Sequence, residues 1–302
     1  MSTGYRDKLN GIYPPNMTCF INEEVAYDKI RANIEKYEQT AIRGYFPLGS
    51  NGEFRSLTDE ESLRVVDVYR KFKGADKILM AGVARESAKA TVEFTRKVAD
   101  LGVEFATILP PNYFVNSMTD DVLIKYYNYV ADLSPIPIIL YNAPKFAQDL
   151  LISPRVVTEV ANHPNIAGMK DTSKEDISIY TQAVPAGADF YIMAGTIEKF
   201  FAGLKVGAIG GVLSIANYMP QACCDLNQLF FDGKIEEAAK LDQYLRALSS
   251  NAAGKSGVAG VKAAMDVLGF FGGDPRLPVP PLNEKQKADL KEALKDVVKG
   301  AA

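Results

Sequence analysis

The chain has 302 residues, 47% of them hydrophobic, so it can bury one large core or two ordinary ones. Its formal net charge is −3 without a basic stripe, which excludes nucleic acid as the expected partner. Cys19, Cys223 and Cys224 form no CxxC pair, there is no apolar leader, and no apolar run approaches the ~18 residues of a membrane span. We therefore expect a cytoplasmic protein without a disulfide framework, a zinc site or a membrane anchor.

Short apolar runs alternate with longer amphipathic stretches at intervals of roughly 20 to 35 residues, which is the pattern of repeated βα units. Eight runs predict strands: GIYPPNM, GYFPLG, KILMAG, EFATILP, IPIILY, NIAGMK, DFYIMAG and AIGGVLS. Pro14 and Pro15 weaken the first of them, because proline cannot donate to a sheet ladder. The helical pattern after Thr58 places Glu60 and Glu61 in the first turn, where the helix dipole favours acids.

Eight such units predict an α/β fold of the (β/α)8 or TIM-barrel class, which typically takes about 250 residues. A doubly wound sheet is the main alternative, but no GxGxxG turn follows the first predicted strand. From about Asn217 onward the pattern is helical only. We therefore expect a barrel that carries the catalytic site over residues 1–216, and a C-terminal helical segment over 217–302 packed on it.

Reactive or anion-binding groups follow several predicted strands. The Gly49–Glu53 turn offers free backbone N–H groups, a hydroxyl and an amide, which suit a small carboxylate. Glu53 itself is interpreted as ordering this turn through hydrogen bonds to backbone. Tyr141 ends the fifth strand and is able to relay protons. Lys170 ends the sixth, where an apolar pocket lowers the pKa of a lysine and lets the neutral amine attack a carbonyl.

The presence of a single histidine limits which catalytic mechanisms and metal sites are expected. His163 stands in a helix-to-strand turn, at the opposite end of its strand from Lys170. A serine or cysteine triad with a histidine base is therefore excluded, as is a histidine-rich metal site. Proton transfer falls to tyrosine, lysine, a carboxylate, water or the substrate. We expect neither a metal nor an organic cofactor.

Six segments in this order resemble motifs of the dihydrodipicolinate synthase and N-acetylneuraminate lyase family of class I aldolases. They are GSNGE, where the family carries a G-[ST]-x-G-E turn, PPNY, YNAP, GMKDTS, AGTIEKF and AIGGVLSIAN. The resemblance covers nearly the whole chain. It implies an enzyme that acts on pyruvate and a small aldehyde or 2-keto acid.

The resemblance assigns roles to individual residues. Lys170 matches the Schiff-base lysine, Tyr141 the proton-relaying phenol, and Ser50 with Asn51 the carboxylate-binding pair. Tyr113 matches the tyrosine that enters the neighbouring subunit's site, which implies a homo-oligomer, in most family members a tetramer. The expected substrate-binding set is completed by Gly49, Gly195, Thr196 and Leu213.

One departure from the family bears on the substrate. Synthase members carry an arginine in the loop after the equivalent of Tyr141, where it grips the second substrate's carboxylate. Here the loop reads YNAPKFAQDLL, with Phe146 near that place and Lys145 beside it. A lysine offers a point charge but not a bidentate fork. Other segments look closer to 4-hydroxy-2-oxoglutarate aldolase and the 2-keto-3-deoxy sugar acid aldolases.

The main functional prediction is therefore a metal-independent class I aldolase that makes or breaks a C–C bond through a Schiff base on Lys170. Two alternatives stand beside it. One is a dihydrodipicolinate synthase or a family dehydratase that uses the same lysine. The other is a barrel kept as a binding or regulatory protein, against which the trio of Lys170, Tyr141 and the Gly49–Glu53 turn argues, because binding alone has no need for it.

Overall fold

The computed structural model describes residues 4–300, apart from the side chains of residues 255, 299 and 300. It confirms the (β/α)8 barrel with appended C-terminal helices. The strands of its main sheet are β1 Gly11–Tyr13, β2 Gly44–Tyr45, β3 Ile78–Gly82, β4 Phe105–Ile108, β5 Ile138–Asn142, β6 Ile166–Asp171, β7 Tyr191–Ala194 and β8 Gly210–Val212. The sheet order is β1-β8-β7-β6-β5-β4-β3-β2. A separate short hairpin pairs Phe20–Ile21 with Glu24–Val25.

Helices occupy the amphipathic stretches between and after these strands. Their bounds are α1 Tyr5–Leu9, α2 Tyr27–Tyr37, α3 Asp59–Phe72, α4 Ala88–Asp100, α5 Asp120–Leu133, α6 Pro154–Val160, α7 Ser178–Ala183, α8 Ile197–Lys205, α9 Pro220–Phe231, α10 Ile235–Asn251, α11 Gly257–Val267 and α12 Glu284–Gly300. Over residues 4–300, no helix has both the length and the apolar character needed to cross a membrane.

Local sequence signals explain two of the element ends. β1 stops at Tyr13, so Pro14 and Pro15 lie beyond its ladder and remove no strand donor. At the start of α3, the Thr58 hydroxyl accepts the Glu61 N–H at 3.1 Å, and the Glu61 carboxylate accepts the Thr58 N–H at 2.9 Å. This reciprocal capping box satisfies two backbone donors that the first helical turn leaves unpaired.

The chain groups into two compact units, of which the first comprises residues 4–11 and 78–212. Its strands β3 to β8 lie side by side in parallel register. Every residue of β3, β4, β5 and β6 is buried, as a parallel sheet covered by helices requires. The amide of Asn142 and the charged groups of Lys170 and Asp171 therefore stand out among them, because burial of such groups is costly unless they are paired.

The second unit comprises residues 12–77 and 213–300. It contains β2, the hairpin, α2, α3 and the C-terminal helices α9 to α12. Tyr37 joins its parts, because its ring stacks on Phe270 at 4.8 Å between centroids. The three cysteines are free and buried, and burial raises the pKa of Cys19 to about 12. The predicted domain boundary between residues 216 and 217 remains a prediction.

Candidate active site

Lys170 and Tyr141 form a cross-strand pair at the ends of β6 and β5. They are direct partners in the parallel register, so their side chains project from the same face of the sheet. The Lys170 Nζ lies 4.0 Å from the centroid of the Tyr141 ring. Both side chains are nearly closed to solvent, with 4% and 5% exposure. The amine is therefore held against a phenol inside the first unit.

The surroundings of Lys170 favour its neutral form. Burial lowers the pKa of the amine below its ordinary value, and the charge and hydrogen bond of Tyr141 oppose that change without reversing it. A lowered pKa means that a larger fraction of the amine is unprotonated near neutral pH. An unprotonated lysine next to a phenol is equipped for nucleophilic attack on a carbonyl.

A β-bulge in β6 sets which residues share this face. Ile138 pairs with Ile166 but Ile139 pairs with Gly168, so Ala167 is an extra residue on β6. A Cβ at Gly168 would collide with the carbonyl oxygen of Tyr191, so glycine is required for this close approach. Without the bulge, a one-residue slip would turn Lys170 to the opposite face. Sequence reasoning missed this feature, and Gly168 was its signal.

The Tyr141 ring is fixed by an apolar cluster. Its neighbours come from the ends of β3 and β4 and from the loop after β5: Ala84, Leu109, Ala143, Ala147 and Leu150. These contacts restrict the ring of Tyr141, so its hydroxyl is positioned by packing as well as by the strand.

The loop after β5 carries the departure from the arginine-bearing pattern. Lys145 and Phe146 are both exposed, and the Lys145 Nζ lies 5.9 Å from the Phe146 ring. A hydrogen bond anchors the loop next to these two residues, because the Gln148 amide donates to the carbonyl of Asn112 at 2.6 Å. The position therefore presents an aromatic face and a lysine, not a guanidinium fork.

Gly195 and Thr196 follow β7 at the start of α8. The Gly195 N–H donates to the carbonyl of Asp171 at 2.7 Å, and a Cβ there would collide with the side chain of Thr172. Thr196 is the N-cap residue, yet its side chain makes no capping hydrogen bond. Its half-buried hydroxyl is therefore not committed to holding the helix end.

In the second unit, the turn from Gly49 to Glu53 is packed on the segment after β1. A Cβ at Gly52 would lie 2.9 Å from the carbonyl oxygen of Asn16, so this position requires glycine. The Thr18 hydroxyl donates to the carbonyl of Gly52 at 2.6 Å. Glu53 itself has a φ of +53°, in the left-handed region. These contacts hold the backbone of the turn in one conformation.

Two of the predicted substrate-binding positions in this unit lie on connected segments. The Asn51 side-chain amide donates to the hydroxyl of Ser214 at 2.8 Å. Ser214 directly follows Leu213, which is fully buried and whose N–H donates to the carbonyl of Tyr13 at 3.3 Å. Ser50 is half-buried at the tip of the turn.

Glu53 anchors the turn to the C-terminal helices. Its Oε1 lies 2.7 Å from the Nζ of Lys262, and its Oε2 accepts the N–H of Arg276 at 3.0 Å. Lys262 is completely buried and also donates to the carbonyl of Asp274 at 3.1 Å. Glu53 thus bonds to backbone as expected. Lys262 was missed, although a lysine within the apolar pattern of α11 was a usable signal.

Replacement of Lys262 by methionine is expected to destabilise the protein by about 3–5 kcal/mol, because it leaves the Glu53 carboxylate buried without its cation. Lys291→Met, at an exposed position of α12, serves as the control and should change the stability by less than about 0.5 kcal/mol. Urea denaturation of both variants measures the difference. Equal midpoints for Lys262→Met and the parent would show that the ion pair contributes nothing.

Tyr113 is presented to solvent on the loop after β4. Its side chain is 72% exposed and packs edge-on against the equally exposed Phe114, with ring centroids 5.0 Å apart. The backbone N–H of Tyr113 donates to the carboxylate of Glu86 at 3.0 Å, which fixes the loop. An exposed aromatic pair on an ordered loop has the composition of an interface core.

His163 occupies the turn between α6 and β6, as predicted. Its Nδ1 accepts the N–H of Asn165 at 3.1 Å, and its Nε2 lies 3.1 Å from the carboxylate of Asp132. Among the residues that the structure describes, no group of three histidine, cysteine, aspartate or glutamate side chains is arranged to hold a metal ion.

The fold places the Lys170–Tyr141 pair at strand ends, where barrel enzymes carry their active sites. The model of the dihydrodipicolinate synthetase family matches residues 8–297. The chain belongs to this family and, like its characterised members, is a lyase.

Individual relatives span nearly the whole chain. It is 30% identical to the 4-hydroxy-tetrahydrodipicolinate synthase of Methanothrix thermoacetophila, over 95% of this chain and 96% of that one. It is 28% identical to the probable mitochondrial 4-hydroxy-2-oxoglutarate aldolase of Emericella nidulans, over 97% and 96%.

Two solved structures resemble this chain over nearly its whole length. YagE, a prophage protein of E. coli K12 solved in complex with pyruvate, has a TM-score of 0.87 at 26% identity and covers 96% of this chain and 98% of its own. The sialic acid aldolase of Ruminococcus gnavus, solved as a catalytic lysine mutant, has a TM-score of 0.87 at 25% identity and covers 98% of each chain.

Proposed function

We propose that this protein is a metal-independent class I aldolase that forms a Schiff base between Lys170 and pyruvate or another 2-keto acid. The observation that carries the proposal is the buried Lys170 amine, which has a lowered pKa and lies over the Tyr141 ring. Two relatives support it: the sialic acid aldolase has a catalytic lysine, and YagE binds pyruvate.

In this mechanism the neutral amine of Lys170 attacks the ketone carbon, and the oxygen takes up a proton to give a carbinolamine. Loss of water then leaves a protonated imine, which withdraws electrons from the neighbouring carbon. In cleavage, the bond to the leaving aldehyde breaks and its electron pair forms the enamine. Tyr141 donates the proton needed for dehydration and accepts the one released from the substrate's hydroxyl. The enamine carbon then takes up a proton, which regenerates an imine, and addition of water to that imine returns the Lys170 amine and releases pyruvate.

We assign the substrate carboxylate to the turn at Gly49, Ser50 and Asn51, on the basis of the family resemblance and of the glycine-dependent backbone there. Gly195, Thr196 and Leu213 are proposed to line the rest of the substrate position. We further propose a homotetramer in which Tyr113 enters a neighbouring subunit's site, which agrees with its exposure on an ordered loop. A cytoplasmic location is proposed from the three free, buried cysteines.

As the compound that is cleaved, we propose a substrate of the 4-hydroxy-2-oxoglutarate or 2-keto-3-deoxy sugar acid type. Phe146 and Lys145 occupy the loop where a synthase places its arginine, and the Emericella nidulans relative is a probable 4-hydroxy-2-oxoglutarate aldolase. The alternative is 4-hydroxy-tetrahydrodipicolinate synthase activity, which the identity to the Methanothrix thermoacetophila protein favours.

A comparison of kcat/KM for different aldehydes distinguishes the aldolase activity from the synthase activity. We expect kcat/KM for condensation of pyruvate with glyceraldehyde to exceed that with aspartate semialdehyde, because Lys145 lacks the bidentate fork that would grip the carboxylate of aspartate semialdehyde. Glyoxylate also carries a carboxylate, but it is small, and the point charge of Lys145 is expected to hold it well enough for its kcat/KM to exceed that of aspartate semialdehyde as well. If aspartate semialdehyde is preferred by tenfold or more, about 1.4 kcal/mol in the transition state, the synthase assignment is correct instead.

The Schiff base itself is tested by inactivation. Borohydride with pyruvate should abolish turnover, whereas either reagent alone should not, because only the imine is reduced to a stable amine. EDTA should leave turnover unchanged. Activity that survives the combined treatment, or that EDTA removes and a divalent metal restores, would contradict the proposal.

A further inference from the structure

A second cross-strand pair lies directly behind Lys170 and Tyr141. Asn142 and Asp171 are the next partners in the register of β5 and β6, so their side chains project from the opposite face of the sheet. Asp171 is completely buried. Its Oδ1 accepts the Asn142 amide at 2.9 Å and the N–H of Ser173 at 3.0 Å. One carboxylate oxygen thus joins the ends of both strands that carry the reactive pair.

The other oxygen of this carboxylate reaches the following helix. Asp171 Oδ2 forms an ion pair with the Nζ of Lys199 in α8, and the same ammonium lies 3.3 Å from the Ser173 hydroxyl. The α8 helix begins directly after Gly195 and Thr196. Asp171 therefore ties together β5, β6 and the helix that opens at two proposed substrate-binding positions.

Stability alone does not account for this arrangement. An ion pair with a buried carboxylate is often no more stabilising than well-packed apolar residues of similar volume, so we attribute its role here to the geometry that its directional contacts select. The geometry selected here is the alignment of β5 with β6 at their C-terminal ends, at the opposite end of β6 from the bulge at Ala167. The Asn142 amide also donates to the Tyr180 hydroxyl of α7 at 2.9 Å, so this helix contacts the end of β5 as well.

We propose that Lys199 is a positioning residue for Lys170: through Asp171 it fixes the ends of β5 and β6 so that the amine stays over the Tyr141 phenol. Lys199 touches neither the amine nor the phenol in this arrangement and acts through the strand ends. The inference rests on the proposed Schiff-base function of Lys170.

The expected consequence is a slower covalent step with little change in pyruvate binding. Misplacement of reacting groups by about 1 Å costs on the order of 100-fold in rate. Lys199→Met should therefore slow imine formation by about 10- to 100-fold. The carboxylate contacts assigned to the Gly49–Asn51 turn are not altered by this change, so the pyruvate concentration for half-maximal rate should stay within about threefold.

The experiment compares single-turnover rates of borohydride-trapped imine formation across a pyruvate series. Lys199→Met is measured beside Lys199→Arg, which keeps the cation and should recover most of the rate. Asp171→Asn keeps the shape and the Asn142 contact but loses the charge, and it provides a folded test if Lys199→Met does not fold. Glu198→Gln, at an exposed position of the same helix, controls for a change of surface charge. Val130→Ala removes buried apolar atoms on α5 and controls for general destabilisation.

The outcomes separate this inference from the proposed function. Slow trapping in Lys199→Met and Asp171→Asn, with recovery in Lys199→Arg and parental rates in Glu198→Gln and Val130→Ala, supports the positioning role. If Lys199→Met and Asp171→Asn trap the imine at the parental rate, the positioning role is overturned and the proposed function stands. A rate loss in Val130→Ala of the same size also overturns the positioning role, since destabilisation then explains the effect. Absence of trapping in the parent protein overturns both.

Discussion

Replacement of Lys170 by alanine is expected to lower kcat/KM by more than about 10³-fold, because the covalent route through the imine is lost entirely. The fold should survive, since the change removes a buried amine whose desolvation disfavours its charged form. We expect the urea midpoint to be equal to or higher than that of the parent. Steady-state kinetics with a 4-hydroxy-2-keto acid and pyruvate release as the readout give the ratio.

Lys174→Ala is the matched control, because Lys174 lies in the same segment but is exposed. It should retain parental kcat/KM. Retention of activity in Lys170→Ala, or an equal loss in Lys174→Ala, would show that the nucleophile lies elsewhere.

Tyr141→Phe is expected to lower kcat by about 10²-fold or more, in line with the contribution of a positioned general acid–base group. The phenylalanine ring keeps the contacts of Tyr141 with Leu109, Ala143 and Ala147, so the packing should be unchanged. Borohydride trapping should still reach Lys170, but more slowly, because the amine is present and only its proton relay is missing.

Tyr127→Phe controls for the loss of a buried hydroxyl, since Tyr127 lies in the core of α5 and is fully buried. Its turnover should match that of the parent. Near-parental turnover in Tyr141→Phe would mean that water or the substrate carries the proton.

The parts of the fold and site that were predictable are those encoded locally. Each buried strand appears as a short apolar run, and the C-terminal ends of parallel strands carry the site of a barrel, which is why the sequence alone predicts that Lys170 and Tyr141 lie together. The prolines after β1 limited that strand's length without preventing it. The capping box at Thr58 and Glu61 likewise needs only four neighbouring residues.

The parts that were not predictable depend on residues distant in the chain. The pairing of Glu53 with Lys262 and that of Asp171 with Lys199 require the folded positions of α11 and α8, and no periodic pattern encodes which carboxylate meets which lysine. The bulge at Ala167 is another case, because a one-residue register shift leaves the hydrophobic pattern almost unchanged. Gly168 hints at it, but glycine in a strand has several explanations.

The most direct test of the Schiff-base assignment is peptide mass mapping after borohydride reduction in the presence of pyruvate. The protein is predicted to gain the mass of one reduced pyruvyl group per chain, on the peptide that carries Lys170, and Lys170→Ala should gain none. An unmodified parent protein, or the same mass gain in Lys170→Ala, would contradict the assignment of Lys170 as the Schiff-base residue.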